Sequence, residues 1–108
     1  MNHKEILTHA TNILQDRGHL YGSVDDLHND ISIIASVILG KNISSFDVAM
    51  IHHATKLARM KTARTHKDNY VDGINYLAFA AQFADQPDSI AVGLEDKIYA
   101  VAQDLKKV

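Results

Sequence analysis

Apolar positions along this chain recur at intervals of three and four rather than two, the spacing of one face of an α-helix. Ile6, Ala10, Ile13 and Leu14 share a face, with Lys4, Glu5, Asn12 and Gln15 off it, which predicts a first helix over about 2–17. Gly18 is a natural stop, because glycine accepts the left-handed conformation that follows a last helical turn. Residues 19–23 then form a short connection. A second stripe, Leu27, Ile31, Ile34, Ala35 and Ile38, predicts a helix over 24–39 that Gly40 ends. Ser23 suits its N-cap, and the helix dipole favours Asp25 and Asp26 in its first turn. The apolar run 31–39 would also suit a buried strand, but its continuity with the polar-punctuated front half favours helix.

Phe46, Met50, His53, Ala54, Leu57 and Met60 make the inward face of a third helix, about 45–62, opening at Ser44 or Ser45 with Asp47 near its start. A polar, basic loop over 62–67 leads to a fourth helix, about 68–84, with Val71, Ile74, Leu77, Ala78 and Ala81 inward. Gln86, Pro87 and Asp88 break the pattern. A fifth helix, about 89–106, carries Ile90, Leu94, Ile98, Val101 and Leu105 and closes on Lys106 and Lys107, which suit a helix C-terminus. The expected fold is all-α: one domain, residues 1–108, built as a compact bundle of about five helices. Tyr76, Phe79 and Phe83 leave the fourth helix apolar on more than one side. Such a helix is either central or at a subunit interface, and a homo-oligomer, most simply a dimer, is expected.

Composition supports helices over strands: one Pro and five Gly in 108 residues are too few for the many tight turns of a strand-rich domain. The absence of Cys removes disulfides, thiolate nucleophiles and zinc–thiolate sites, and leaves carboxylates as the credible metal ligands. A hydrophobic share of 46% with a net charge of -2 excludes a disordered chain. No run of about 18 apolar residues is present, and the opening Met-Asn-His-Lys-Glu lacks the pattern of a signal peptide. The expectation is a soluble, cytoplasmic domain with no membrane partner. A pI near 6.3 argues against nucleic acid as a partner.

Glycine-rich phosphate loops, Gly-x-Ser-x-Gly elbows and His-Glu-x-x-His are all absent. Three constellations remain. Asp26 and Asp30 are four apart on the second helix, and Asp68 and Asp72 four apart on the fourth, so each pair shares a face. Facing carboxylate pairs suit magnesium, a hard cation that bridges substrate phosphates. Helix capping would equally account for Asp26 and Asp68, but not for Asp72, which lies a turn inside its helix. Lys56 and Arg59, followed by Lys61, Arg64, His66 and Lys67, suit phosphate groups. They would serve equally as ion-pair partners of Asp68 and Asp72 across the helical hairpin. The connection Arg-Gly-His-Leu-Tyr-Gly, residues 17–22, offers Arg17 for phosphate and Tyr21 for stacking on a base, though a Tyr packed on the core explains it as well. His52 and His53 are adjacent, point about 100° apart on a helix and do not jointly chelate a metal. No metal is assigned to histidine.

These residues stand in a familiar order. Asp16-Arg17, Tyr21-Gly22, His28, Ile31 and Leu39-Gly40, then Asp47-Val48-Ala49, Lys56-x-x-Arg59 and Asp68-Asn69-x-x-Asp72-x-x-x-Tyr76 resemble a family of small phage and prophage proteins, over roughly residues 12–84. That family in turn resembles the MazG-like all-α nucleoside triphosphate pyrophosphohydrolases. The resemblance implies a helical oligomer that binds a nucleotide, with magnesium on Asp26, Asp30, Asp68 and Asp72. Lys56, Arg59, Arg17, Tyr21 and Tyr76 would contact the nucleotide, and Asp68 and Asp72 would serve catalysis. The MazG-like enzymes use Glu-x-x-Glu and Glu-x-x-Asp patterns. Here helices two to four hold no Glu, and Leu27 stands where the phage family has Asn. These departures bear on catalysis more than on binding. The expected function is magnesium-dependent hydrolysis of a (deoxy)nucleoside triphosphate to monophosphate and pyrophosphate. The alternatives are a non-catalytic phage nucleotide-binding protein and a phage helical protein that inhibits a host enzyme by docking; a phage protein would act in the host cytoplasm.

Overall fold

The computed structural model describes residues 1–21, 23–86 and 94–106, and their side chains except those of residues 16–21 and 94–98. Five helices follow one another: α1 His3–Tyr21, α2 Val24–Leu39, α3 Ser45–Met60, α4 Lys67–Ala84 and α5 Leu94–Lys106. Among the described residues there is no strand. No helix among them is long and apolar enough to cross a membrane.

Local chemistry sets several helix ends. Ser23 caps α2, its hydroxyl accepting from Asp26 N at 3.4 Å. Gly40 ends α2 with φ 66° and ψ 27°, a left-handed conformation that costs glycine little. Ser44 and Asp47 form a reciprocal capping box at α3: Asp47 N donates to Ser44 Oγ at 3.1 Å and Ser44 N to Asp47 Oδ2 at 2.9 Å. Ser36 Oγ accepts from Ile43 N at 2.9 Å and donates to the Ser32 carbonyl at 2.6 Å, pinning the α2–α3 turn to α2. The main departure is α1, which passes through Gly18 to Tyr21 instead of stopping near Arg17. A lone glycine costs a helix only about 1 kcal/mol and need not end it. Helix α3 closes at Met60 rather than Thr62, and α4 begins at Lys67. The breaker Pro87 and the expected first residues of the fifth helix, 89–93, lie outside the described residues.

Helix α4 is central, packed on α1 and α3. Ala49, Ala80 and Phe83 form a buried cluster against which Val24 and Phe79 pack, and Val71 is wholly buried. Asn75 Nδ2 donates to the Ala10 carbonyl at 3.0 Å and ties α1 to α4. The central place of α4 buries its Val71, Ala80 and Phe83 within one chain.

The faces of α2 and α3 differ from the expected ones. In α3, Phe46, Met50, Ala54 and Leu57 are exposed, and the buried positions are Val48 and Ala49. In α2, Leu27, Ile34 and Ile38 are exposed, while His28, Ser32, Ile33 and Ser36 are buried. In α4, Leu77, Ala78 and Ala81 are exposed, and Asn69, Asp72 and Asn75 are buried beside Val71. The side chains inside are polar more often than periodicity predicts. Hydrogen bonds of the Ser32 and Ser36 hydroxyls to backbone carbonyls and of Asn75 across to α1 make that interior tolerable.

Candidate functional site

The buried polar side chains converge on the seam between α3 and α4, with α2 beside it. Lys56 projects from α3 and Asp72 from α4, and Lys56 Nζ lies 3.0 Å from Asp72 Oδ2, with side chains only 15% and 8% exposed. The two helices lie close together at Gly73. A Cβ there would stand 3.6 Å from Lys56 Cβ and 3.9 Å from His53 Nδ1. Across this contact the His53 ring donates from Nδ1 to the Gly73 carbonyl at 2.7 Å.

One turn beyond Asp72, Tyr76 stacks on His52, with ring centres 4.9 Å apart and planes at 27°. His28, from α2, meets His52 edge-on at 5.9 Å and packs against Phe79 and Phe83 at 5.6 and 5.1 Å. The His28 ring is only 3% exposed. Its Nδ1 donates to the Val24 carbonyl at 2.9 Å, and its buried Nε2 has no hydrogen-bond partner among the described residues. Burial, foremost, and then the nearby His28 and Lys56 hold the His52 imidazole below its ordinary pKa of 6.5. His52 is therefore neutral at pH 7, a stacking and hydrogen-bonding ring beside a lysine.

Of the residues expected at a site, Lys56, Asp72 and Tyr76 come together here. Arg59, one turn after Lys56, is exposed on α3. Asp68 is 65% exposed and lies 3.7 Å from His66 Nε2. Asp26 and Asp30 are exposed on α2. Arg17 and Tyr21 belong to α1, but their side chains lie outside the described residues. The four aspartates are not gathered: among the described residues, no three His, Asp or Glu side chains form a group that could hold a metal ion. The chain thus presents no preformed magnesium cage there. Asp68 and Asp72 share a face of α4 by their spacing but differ in setting, Asp68 being 65% exposed and Asp72 8% exposed beside Lys56.

His28 and His52 were missed as site residues by apolar periodicity. The signal was a second, polar stripe: His28, Ser32 and Ser36 are four apart, a helical face in their own right.

A family described as a domain of unknown function, DUF6378, matches residues 5–84, which span α1 to the end of α4 and contain every residue of the seam. The chain is similar to the "Gene 55 protein" of Mycobacterium phage D29, with 28% identity over 106 residues that cover 97% of this chain and 70% of the relative. No solved structure matches it significantly.

Proposed function

We propose that this chain, which belongs to the DUF6378 family, binds a nucleotide at the α3–α4 seam. The observation that carries the reading is the mostly buried Lys56–Asp72 pair beside the stacked rings of His52 and Tyr76. A lysine held this far from water stands ready for a phosphate, which would take the place of one carboxylate oxygen. Arg59, one turn along the same helix, adds a bidentate donor for a second phosphate. Tyr76 and the neutral His52 offer flat apolar faces for a base, and Arg17 and Tyr21 from α1 would complete the contacts.

The reaction this site would carry is the one the MazG-like resemblance implies: hydrolysis of a (deoxy)nucleoside triphosphate to monophosphate and pyrophosphate. Asp68 and Asp72 would hold the magnesium, which would supply Lewis-acid polarisation; Asp26 and Asp30, exposed on α2, stay outside this set. The part of the protein's own residues is to bind and orient. Lys56 and Arg59 fix the phosphates, and the ring stack fixes the base.

A screen of common nucleotides with and without magnesium, read by melting temperature and by pyrophosphate release, tests the reading. A rise in melting temperature that Lys56→Ala abolishes is the expected result. Pyrophosphate release that Asp72→Asn abolishes identifies an enzyme; binding with the nucleotide recovered intact identifies a non-catalytic binder. No shift with any nucleotide, with or without magnesium, would sink the proposal.

A further inference from the structure

The stretch that follows the buried Lys56 carries charge of one sign. Residues 57–67 hold Arg59, Lys61, Arg64 and Lys67 and no Asp or Glu, while the other seven of the 11 Lys and Arg stand among 13 Asp and Glu. A whole-chain pI near 6.3 averages over this segregation. Lys61 and Arg64 are exposed in the α3–α4 turn, and Lys67 opens α4. The turn is ordered by its own backbone: Ala63 N donates to the Arg59 carbonyl at 3.0 Å and His66 N to the Ala63 carbonyl at 3.1 Å. The Tyr70 hydroxyl donates to the Arg64 carbonyl at 2.6 Å and ties the turn to α4. The cations are therefore displayed from a fixed frame, and a ligand need not order the backbone that carries them.

The basic surface continues onto α1. An open cleft of 540 Å³ is lined by Lys4, Glu5, Thr8, His9 and Asn12 of α1 and by Lys67. The carboxylate in it is engaged: Asn2 Nδ2 donates to Glu5 Oε1 at 3.1 Å, and Glu5 N to Asn2 Oδ1 at 2.9 Å. Among the described residues Lys4, Lys61, Arg64 and Lys67 form no ion pair, and the neighbouring Asp68 faces His66. Unpaired cations on adjoining elements repel one another, and a polyanion laid across them relieves that repulsion.

We propose that the α3–α4 turn and the adjoining α1 cleft bind the phosphodiester backbone of a nucleic acid, without reading its bases. Lys4, Lys61, Arg64 and Lys67 take the place of condensed counterions, and Thr8 and Asn12 offer hydrogen bonds to phosphate and sugar oxygens. The chemistry of the surface selects this partner. A protein partner is anchored by aromatic or large apolar side chains, and a membrane by an apolar face. Among residues 61–67 and those lining the cleft, the only large apolar side chain is the half-buried Ile13. A phosphodiester backbone needs only cations and polar groups. The cations also lie along an open surface shared by two elements, which suits a strand better than one small anion. This inference stands apart from nucleotide binding at the seam, which draws on Lys56 and Arg59.

Fluorescence anisotropy of the full chain with labelled single-stranded DNA, single-stranded RNA and duplex DNA tests it. Binding is expected at low salt, with log K falling against log salt at a slope of about -3 to -4 for four cationic contacts. Lys61→Glu/Arg64→Glu and, separately, Lys4→Glu/Lys67→Glu should each weaken it about tenfold or more. Lys41→Glu/Lys106→Glu changes the net charge equally at exposed sites elsewhere and should cost far less. No binding of any of the three nucleic acids at low salt overturns the proposal, as does an equal loss in all three double variants. Equal binding of poly-glutamate, or full displacement by tripolyphosphate at matched phosphate concentration, overturns it as well. Any response of the melting temperature to nucleotides should persist in Lys61→Glu/Arg64→Glu, so this reading and that of the seam fail separately.

Discussion

At the residue scale, the Lys56–Asp72 pair dominates. Two charges largely withdrawn from water are tolerable only together. Lys56→Met leaves a carboxylate in a poor dielectric, and a loss of about 3 kcal/mol is expected. The double variant Lys56→Met/Asp72→Leu should recover most of that loss; urea unfolding measures both. His52 gives a pH signature. Its folded pKa lies below 6.5 and its unfolded value near 6.5, so the unfolded chain takes up the proton first. The His52 contribution to stability is therefore complete above pH 6.5 and falls as the pH drops from there through the folded pKa. The groups facing it, His28 from α2 and Lys56 from its own helix, both oppose its charge. His52→Phe should flatten this part of the stability curve between pH 7 and pH 5, and the difference from the natural chain is the quantity to measure.

At the scale of elements, the stops and starts were legible because single side chains set them. Ser23, Gly40 and the Ser44–Asp47 box act within a turn of their own positions. Ser44→Ala should cost about 1 kcal/mol in thermal or urea unfolding, since it removes the box hydroxyl. The end of α1 was not legible, because a glycine tolerated inside a helix and one that ends it look alike in sequence. The facing of α2 and α3 was not legible either: periodicity identifies an apolar stripe but not which side of the helix the rest of the chain covers. Lys56, Asp72 and Tyr76, named from the sequence, come together at the candidate seam, whereas apolar periodicity did not single out His28 and His52 there. The first three carry chemistry in their type and spacing, and the imidazoles gain theirs from packing. Gly73 is a separate case. A Cβ there would meet only ordinary contacts, 3.6 Å to Lys56 Cβ at the nearest. Gly73→Ala should therefore raise stability by about 0.5–1 kcal/mol through helix propensity, read as a higher urea midpoint.

At the scale of the whole molecule, α4 links α1 and α3 into one packed unit. The close α3–α4 seam also bears on the order in which the chain acquires its shape. Its partners are near in sequence, His53 and Gly73 being twenty residues apart, whereas the Asn75–Ala10 bond that docks α1 closes a separation of 65. Short closures lose less chain entropy, so the α3–α4 hairpin is the natural folding nucleus, with α1 added after the rate-limiting barrier. In stopped-flow experiments Val71→Ala, within the hairpin, should mainly slow refolding, whereas Ala10→Gly should mainly hasten unfolding. The lysine–aspartate pair that marks the candidate site would then be among the first tertiary contacts the chain makes.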